Sequence, residues 1–375
     1  MDKKYNILLA SDMGKVGGTE IATYITAKEL QPYVQSICVF GKQGPLSDSV
    51  AKLNVEQVHA EAHTKNPFKL IQYLIRLIAV INRNNIDVIH AQMARPIPLI
   101  WLAKKLSRNK NLKIFWTSRG LNHSTYESVV PLFNKMGVRG LGNCKLEQEK
   151  LLKYGFNPQF TSYVYNAYRL NPETAPRPKL LREKTTIGTL SALREDRCVD
   201  LFLKIAENLL KSGSSFEEVE FIIGGDGPYR SELEKLALSL GIKDKVKFYG
   251  NITDVEAFMQ NLDVFVSPIV VEGDGGAGVS NAIVEAMLTK TPVCAFDASA
   301  IFEIVINNET GCLIEAKNIE LMSEAIIKTI QNKEETKRRM RMKNEESCTR
   351  RQMAEGRNTK KEERRKKKEE RRKKK

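Results

Sequence analysis

No stretch of this chain comes near the roughly 20 consecutive apolar residues that a membrane-crossing helix requires, so the reading is of a soluble or peripheral protein. The apolar run Ile7–Ala10 behind Met1-Asp2-Lys3-Lys4 is shorter than the apolar stretch of a secretion signal, and a cytoplasmic protein, at most peripheral on the inner face of the membrane, is expected. Cysteine is scarce as well. Cys38, Cys144, Cys198, Cys294, Cys312 and Cys348 form no C-x-x-C pair and have no histidine at metal-ligand spacing. This excludes a zinc ribbon or a disulfide scaffold and predicts reduced, mostly buried thiols. Acidic residues fall short of basic ones by 15, but the imbalance is local: residues 333–375 hold 21 Lys/Arg against 9 Asp/Glu, leaving the preceding body at only +3. A nucleic-acid partner would rest on that tail alone, and none is expected.

Short apolar runs alternate with longer stretches of helical period, the pattern of a doubly wound parallel sheet. The runs predict strands at Ile7–Ala10, Val34–Phe40, Val55–Val58, Asp87–His90, Lys113–Thr117 and Ser162–Tyr165. Among the helices, Phe68–Asn82 carries Leu70, Ile71, Leu74, Ile75, Leu77, Ile78 and Ile81 at helical spacing, a stripe expected to pack on the sheet. Lys65, Lys69, Arg76 and Arg83 flank it, so contact with an anionic membrane is the alternative. Residues 169–184, with three prolines and many charges, read as a linker. The pattern then restarts, with strands predicted at Thr186–Leu190, Glu220–Ile223, Val246–Tyr249, Asp263–Pro268, Pro292–Phe296 and Cys312–Ile314, and helices near 198–212, 228–241, 254–261, 279–288 and Ile319–Gln331.

The expected fold class is therefore α/β. Two Rossmann-like domains, residues 1–168 and 185–331, would face each other across a cleft at the carboxyl ends of their strands. Residues 332–375 form a charged tail, either disordered or a solvated helix held by Glu/Lys pairs.

Three strand-to-helix junctions hold glycine. Gly17-Gly18 open a helix near Thr19, where backbone amides attract phosphate, although an ordinary turn uses the same residues. Gly224-Gly225-Asp226-Gly227-Pro228 reads as a tight turn with proline in the first helical position. The third junction is the informative one. The loop VVEGDGG after Pro268 leads through Ala277-Gly278-Val279-Ser280-Asn281 into a helix carrying Glu285. Free amides at Gly278, Val279, Ser280 and Asn281 would point at a diphosphate, and Glu285 would accept hydrogen bonds from ribose. Arg194 and Arg197 are fixed positive groups of the kind that stabilise a leaving diphosphate.

Gly17-Gly18-Thr19-Glu20, the stretch IGTLSALREDR from Ile187 to Arg197, the GGDGP turn, Phe248-Tyr249-Gly250, and GVSNAIVEAM followed by TPV and NNETG together resemble glycosyltransferase family 4. The likeness runs from about residue 5 to about residue 330 and is most specific in its second half. It implies a retaining GT-B enzyme that transfers a sugar from a nucleotide-diphosphate sugar to a glycan or lipid-linked acceptor, as in cell-surface polysaccharide or lipopolysaccharide synthesis. The donor would bind the C-terminal domain and the acceptor the N-terminal one, with no cofactor and no obligatory metal. By position, Arg197 stands where the family keeps a diphosphate-neutralising lysine, Asn251 where the base is gripped, Glu285 at the second family glutamate and Gly18 opposite the diphosphate.

The chain also departs from the pattern. The usual arginine of the LSALRE stretch is Ala192, so Arg194 is expected to supply that charge. The first family glutamate falls on Ala277, with Glu272 or Asp274 in the preceding loop as replacements. Glu272 is the catalytic candidate, or else an exposed loop residue. The family histidine after the fifth strand aligns with Arg119, and His123 stands four residues on as a second catalytic candidate. A Gly-Gly late in the domain is Ser299-Ala300, ahead of Glu303. These replacements motivate a rival reading, a nucleotide-sugar-binding GT-B protein without catalysis.

Overall fold

A computed structural model describes residues 4–11, 18–44, 47–166, 168, 184–213, 219–271 and 279–332. The predicted linker (apart from Lys184) and the tail beyond Asn332 lie outside the described residues.

The first sheet is built from β1 (Asn6–Ala10), α1 (Gly18–Leu30), β2 (Ser36–Gly41), α2 (Ser47–Ala51), β3 (Glu56–His59), α3 (Pro67–Arg83), β4 (Val88–Ala91), α4 (Ile97–Leu106), β5 (Lys113–Ser118), α5 (His123–Met136), β6 (Arg139–Gly142), α6 (Lys145–Lys153) and β7 (Thr161–Tyr163). Its strands run parallel in the order β3-β2-β1-β4-β5-β6-β7. Helices cover both faces, and for that reason β1 reads as continuous apolar sequence. Its Leu8 joins the cluster under α3, α4 and α5, whereas Leu9 joins the one under α1 and α2. Trp116 of β5 meets Phe133 of α5 edge to face at 5.0 Å between ring centres.

Two helix starts show how the sequence sets element boundaries. Asn66 caps α3 by accepting from the Phe68 amide, and Pro67 occupies the first turn, where a missing N–H costs nothing. Asn122 caps α5 in the same way through the Thr125 amide, and Gly137 ends it in the left-handed region at φ 66°.

Two sequence expectations change. A seventh strand, β6, lies between β5 and β7 where none was predicted; its sequence RGLG has half its residues as glycine and little strand signal. Gly142 is needed there, because a Cβ would come within 2.5 Å of the Gln148 amide of α6. The stripe of α3 packs only in part. Tyr73, Leu77, Val80 and Ile81 are buried, whereas Phe68, Ile71 and Ile75 are 80%, 55% and 61% exposed.

The second sheet comprises β8 (Thr185–Leu190), α7 (Val199–Lys211), β9 (Val219–Gly224), α8 (Arg230–Ser239), β10 (Val246–Gly250), α9 (Val255–Gln260), β11 (Val264–Ser267), α10 (Asn281–Leu288), β12 (Val293–Phe296), β13 (Cys312–Ile314) and α11 (Ile319–Gln331). All six strands are parallel, in the order β10-β9-β8-β11-β12-β13. The order reverses between β8 and β11, and ligands of such sheets bind beyond the carboxyl ends of the strands at that point. Every residue of β11 and β12 is buried.

Of the described residues, those up to 168 form one compact unit together with 270, 271, 279–284 and 298–304, and the others form a second. Among the described residues no helix is long and apolar enough to cross a membrane.

Candidate functional site

In the first unit the carboxyl ends of β4 and β5 carry a chain of polar side chains. His90 and Gln92 alternate with buried Ile89 and Ala91, so both lie on one face of the β4 line. Arg119 follows β5 directly. The His90 ring Nε2 lies 2.6 Å from Thr117 Oγ1, and Gln92 Nε2 lies 3.5 Å from the other ring nitrogen. The Arg119 guanidinium donates to Gln92 Oε1 and to Asn166 Oδ1, both at 2.6 Å. The Asn166 amide continues to Asn281 Oδ1 at 3.3 Å. Burial, with the neighbouring Arg119 charge as the lesser cause, pushes the His90 pKa down to about 4, so the ring is neutral at pH 7. Burial also lowers Arg119 to about 10, against a raising influence of Glu20, and among the described residues its Nε has no hydrogen-bond partner.

A cavity of about 510 Å³ opens beside this line of side chains, with Arg119, Gln92, Thr19, Trp116, Leu132 and Phe133 in its lining. Gly18 and Asn281, both predicted from sequence, come together here: a Cβ at Gly18 would stand 3.3 Å from Asn281 Nδ2. Val279 lies just ahead of α10. Its side chain is buried with Cys144 and Ala300. Ser280 is half-buried just ahead of α10.

His123 does not join the cavity wall. It sits in the first turn of α5 with Nδ1 at the Tyr154 hydroxyl and Nε2 3.3 Å from Glu127, its side chain 61% exposed. Glu303 accepts from the amides of Lys145 (2.9 Å) and Leu146 (2.6 Å) and from the Tyr165 hydroxyl (2.7 Å), supplying the cap that Cys144 does not give α6. The preceding Ser299 keeps a left-handed backbone, φ 54°, without the glycine that conformation favours.

In the second unit, the turn after β8 holds the predicted arginines. Arg194 grips Asp196 in a bidentate pair at 2.8 and 2.9 Å, and Arg197 Nε lies 3.5 Å from the same carboxylate. Two cations thus share one anion, a net of one positive charge. The Arg194 hydrogen bonds hold Asp196 below the usual carboxylate range, whereas burial lowers Arg197, whose side chain is 27% exposed.

The GGDGP glycines serve this turn. A Cβ at Gly225 would meet Ser191 O at 1.8 Å, and one at Gly227 would meet Leu193 O at 2.2 Å. Leu193 N donates to Asp226 O and Tyr229 N to Leu193 O, which ties the arginine turn to the β9–α8 junction. Asn251 is exposed just past β10, and Glu285 is half-buried in α10. Gly17, Glu272, Asp274, Ala277 and Gly278 lie outside the described residues.

Sequence reasoning missed His90, Gln92, Thr117 and Asn166. The legible signal was the pair of polar residues two apart in the otherwise apolar run VIHAQ.

Residues 6–138 match the family profile described as "Glycosyl transferase 4-like", and residues 172–347 match that described as "Glycosyl transferases group 1". One profile falls on each sheet. The chain belongs to the family 4 type of glycosyltransferases. This glycosyltransferase chain is 27% identical over 156 residues to the poly(ribitol-phosphate) alpha-N-acetylglucosaminyltransferase of Staphylococcus aureus strain COL, 41% of this chain and 30% of that protein. Over 142 residues it is 26% identical to the lipopolysaccharide core biosynthesis mannosyltransferase LpcC of Rhizobium leguminosarum bv. viciae, 37% of this chain and 39% of that protein. The matches therefore span well under half the length of these relatives. Among solved structures, Anabaena HepE in complex with UDP and glucose superposes with a TM-score of 0.75 at 19% identity, covering 90% of this chain and 92% of that one. That likeness establishes the GT-B fold.

Proposed function

We propose that this chain transfers a hexose, with retention at the anomeric carbon, from a nucleotide-diphosphate sugar to a glycan or lipid-linked acceptor of cell-surface polysaccharide or lipopolysaccharide synthesis, on the cytoplasmic side. The observation that carries the reading is one glycosyltransferase profile on each of two parallel sheets, with cationic and polar groups at the carboxyl ends of their strands. Arg197, Arg194 and the helix amides before Asn281 would stabilise negative charge on the departing diphosphate. Glu285 and Asn251 would hold the nucleoside, Glu272 would act in the transition state, and the cavity beside Arg119 would take the acceptor. His123, turned to Tyr154 and Glu127, has no role in this scheme.

The test is nucleoside diphosphate release from UDP-glucose, UDP-N-acetylglucosamine and GDP-mannose, each at excess, with and without EDTA. Slow release from one donor, unaffected by EDTA, is expected. Tight binding of a donor without any turnover, alone or with acceptor glycans, would favour the non-catalytic alternative. Peripheral membrane contact is proposed through α3, where exposed Phe68, Ile71 and Ile75 lie beside Lys65 and Lys69, a composition suited to an anionic interface.

A further inference from the structure

We infer that the cavity beside Arg119 selects a ligand carrying an acidic group, carboxylate or phosphate, next to an apolar group. The acceptor would then be an anionic amphiphile or an acidic glycan with an apolar substituent. This rests on the reading of that cavity as the acceptor site.

The cavity wall is largely apolar, with Trp116, Leu121, Leu132 and Phe133 facing a volume of about 510 Å³. That is within the range of pockets that enclose small ligands. An uncharged sugar alone would leave this wall in poor contact. Arg119 is the buried charged group in its lining, and Arg95 in the same lining is exposed. Among the described residues the hydrogen-bond partners of Arg119 are neutral: the side-chain oxygens of Gln92 and Asn166.

Glu20, buried in the first turn of α1, exerts a field on the guanidinium, but among the described residues no carboxylate hydrogen-bonds to it. Among the described residues the Nε–H is a buried donor without a hydrogen-bond partner. A buried cation bound only by amide oxygens keeps most of its desolvation cost, and an incoming anion that accepts from the free donor offsets it.

The geometry around Arg119 is also fixed in advance. Gln92, which presents its oxygen to the guanidinium, has its amide toward the His90 ring, and that ring is held by Thr117. His90 is a positioning residue in this arrangement, acting on the ligand through Gln92 and Arg119.

The chain has two tryptophans, so Trp101→Phe leaves Trp116, in the cavity wall, as the fluorescent reporter. In that background octyl phosphate, nonanoate and octyl glucoside are titrated against full-length protein, and again with Arg119→Gln and Arg119→Lys. Octyl phosphate or nonanoate should bind at least about tenfold tighter than octyl glucoside, as expected of one charge-assisted hydrogen bond. The preference should vanish in Arg119→Gln and survive in part in Arg119→Lys. The stronger of the two anionic probes identifies phosphate or carboxylate as the group selected.

Equal binding of neutral and anionic probes overturns the inference and leaves the acceptor reading standing. So does an Arg119→Gln loss that falls on UDP and spares octyl phosphate. No Trp116 response to any probe overturns both.

Discussion

Arg194 and Arg197 flank a single carboxylate, and the two guanidinium groups are not equivalent. Arg194 is tied down by both oxygens of Asp196, whereas Arg197 keeps a longer contact and is the more buried. A phosphate recruits Arg197 with less loss of existing bonds. Arg197→Ala should therefore weaken nucleoside diphosphate binding by about ten- to a hundredfold, the worth of a partly buried charge-assisted bond, and leave the nucleoside nearly unaffected. Calorimetric titration with both ligands checks this, and equal losses would place Arg197 elsewhere.

His90 gives a pH dependence with a definite sign. Its folded pKa of about 4 lies below the ordinary 6.5, so between these values the unfolded chain binds more protons. Stability contributed by neutral His90 is full above about pH 6.5 and is lost as pH falls toward 4. The expected loss between pH 7 and pH 5 is about 2 kcal/mol. Urea unfolding at the two pH values should show it, and His90→Gln should remove that part of the difference.

At the scale of elements, glycine-bearing turns hold the arginine loop. Gly225 has φ 112° and no room for a Cβ beside Ser191 O. Gly225→Ala should destabilise the fold by at least about 2 kcal/mol, since backbone must move and an L residue there is strained. A urea midpoint equal to wild type would refute the packing argument. Ser299 presents the converse case, a left-handed backbone without glycine. Ser299→Gly should be neutral or stabilise by up to about 1 kcal/mol, because relief of strain competes with added chain entropy. β6 shows why element prediction fails locally. Its residues owe their strand state to neighbours on both sides, Phe115 and Trp116 of β5 and Thr161 and Ser162 of β7, and not to their own propensity.

For the whole molecule, charge and apolar exposure separate. The body carries +3 and residues 333–375 carry +12, while the exposed Phe68, Ile71 and Ile75 belong to the body. Phosphatidylglycerol vesicles should therefore bind full-length protein in a salt-sensitive way, and a chain ending at Asn332 more weakly but still measurably. Phe68→Glu with Ile71→Glu in the shortened chain should abolish co-sedimentation with the vesicles. Undiminished binding would exclude α3 as the contact.

The sequence by itself determined the α/β class, twelve of the thirteen strands among the described residues to within a few residues, and the family likeness carried by IGTLSALREDR and GVSNAIVEAM. These are legible because strand runs buried on both faces are apolar throughout and because junction glycines and caps are local signals. It also named Gly18 and Asn281 separately. Only the tertiary structure brought those two together. It aligned His90, Gln92, Arg119 and Asn166 into one hydrogen-bonded line, turned His123 toward Tyr154 and Glu127, and left Ile71 and Ile75 of the α3 stripe to solvent. The line from His90 and Gln92 to Arg119 depends on β4 and β5 being neighbours in the sheet, a property of strand order that no window of sequence contains.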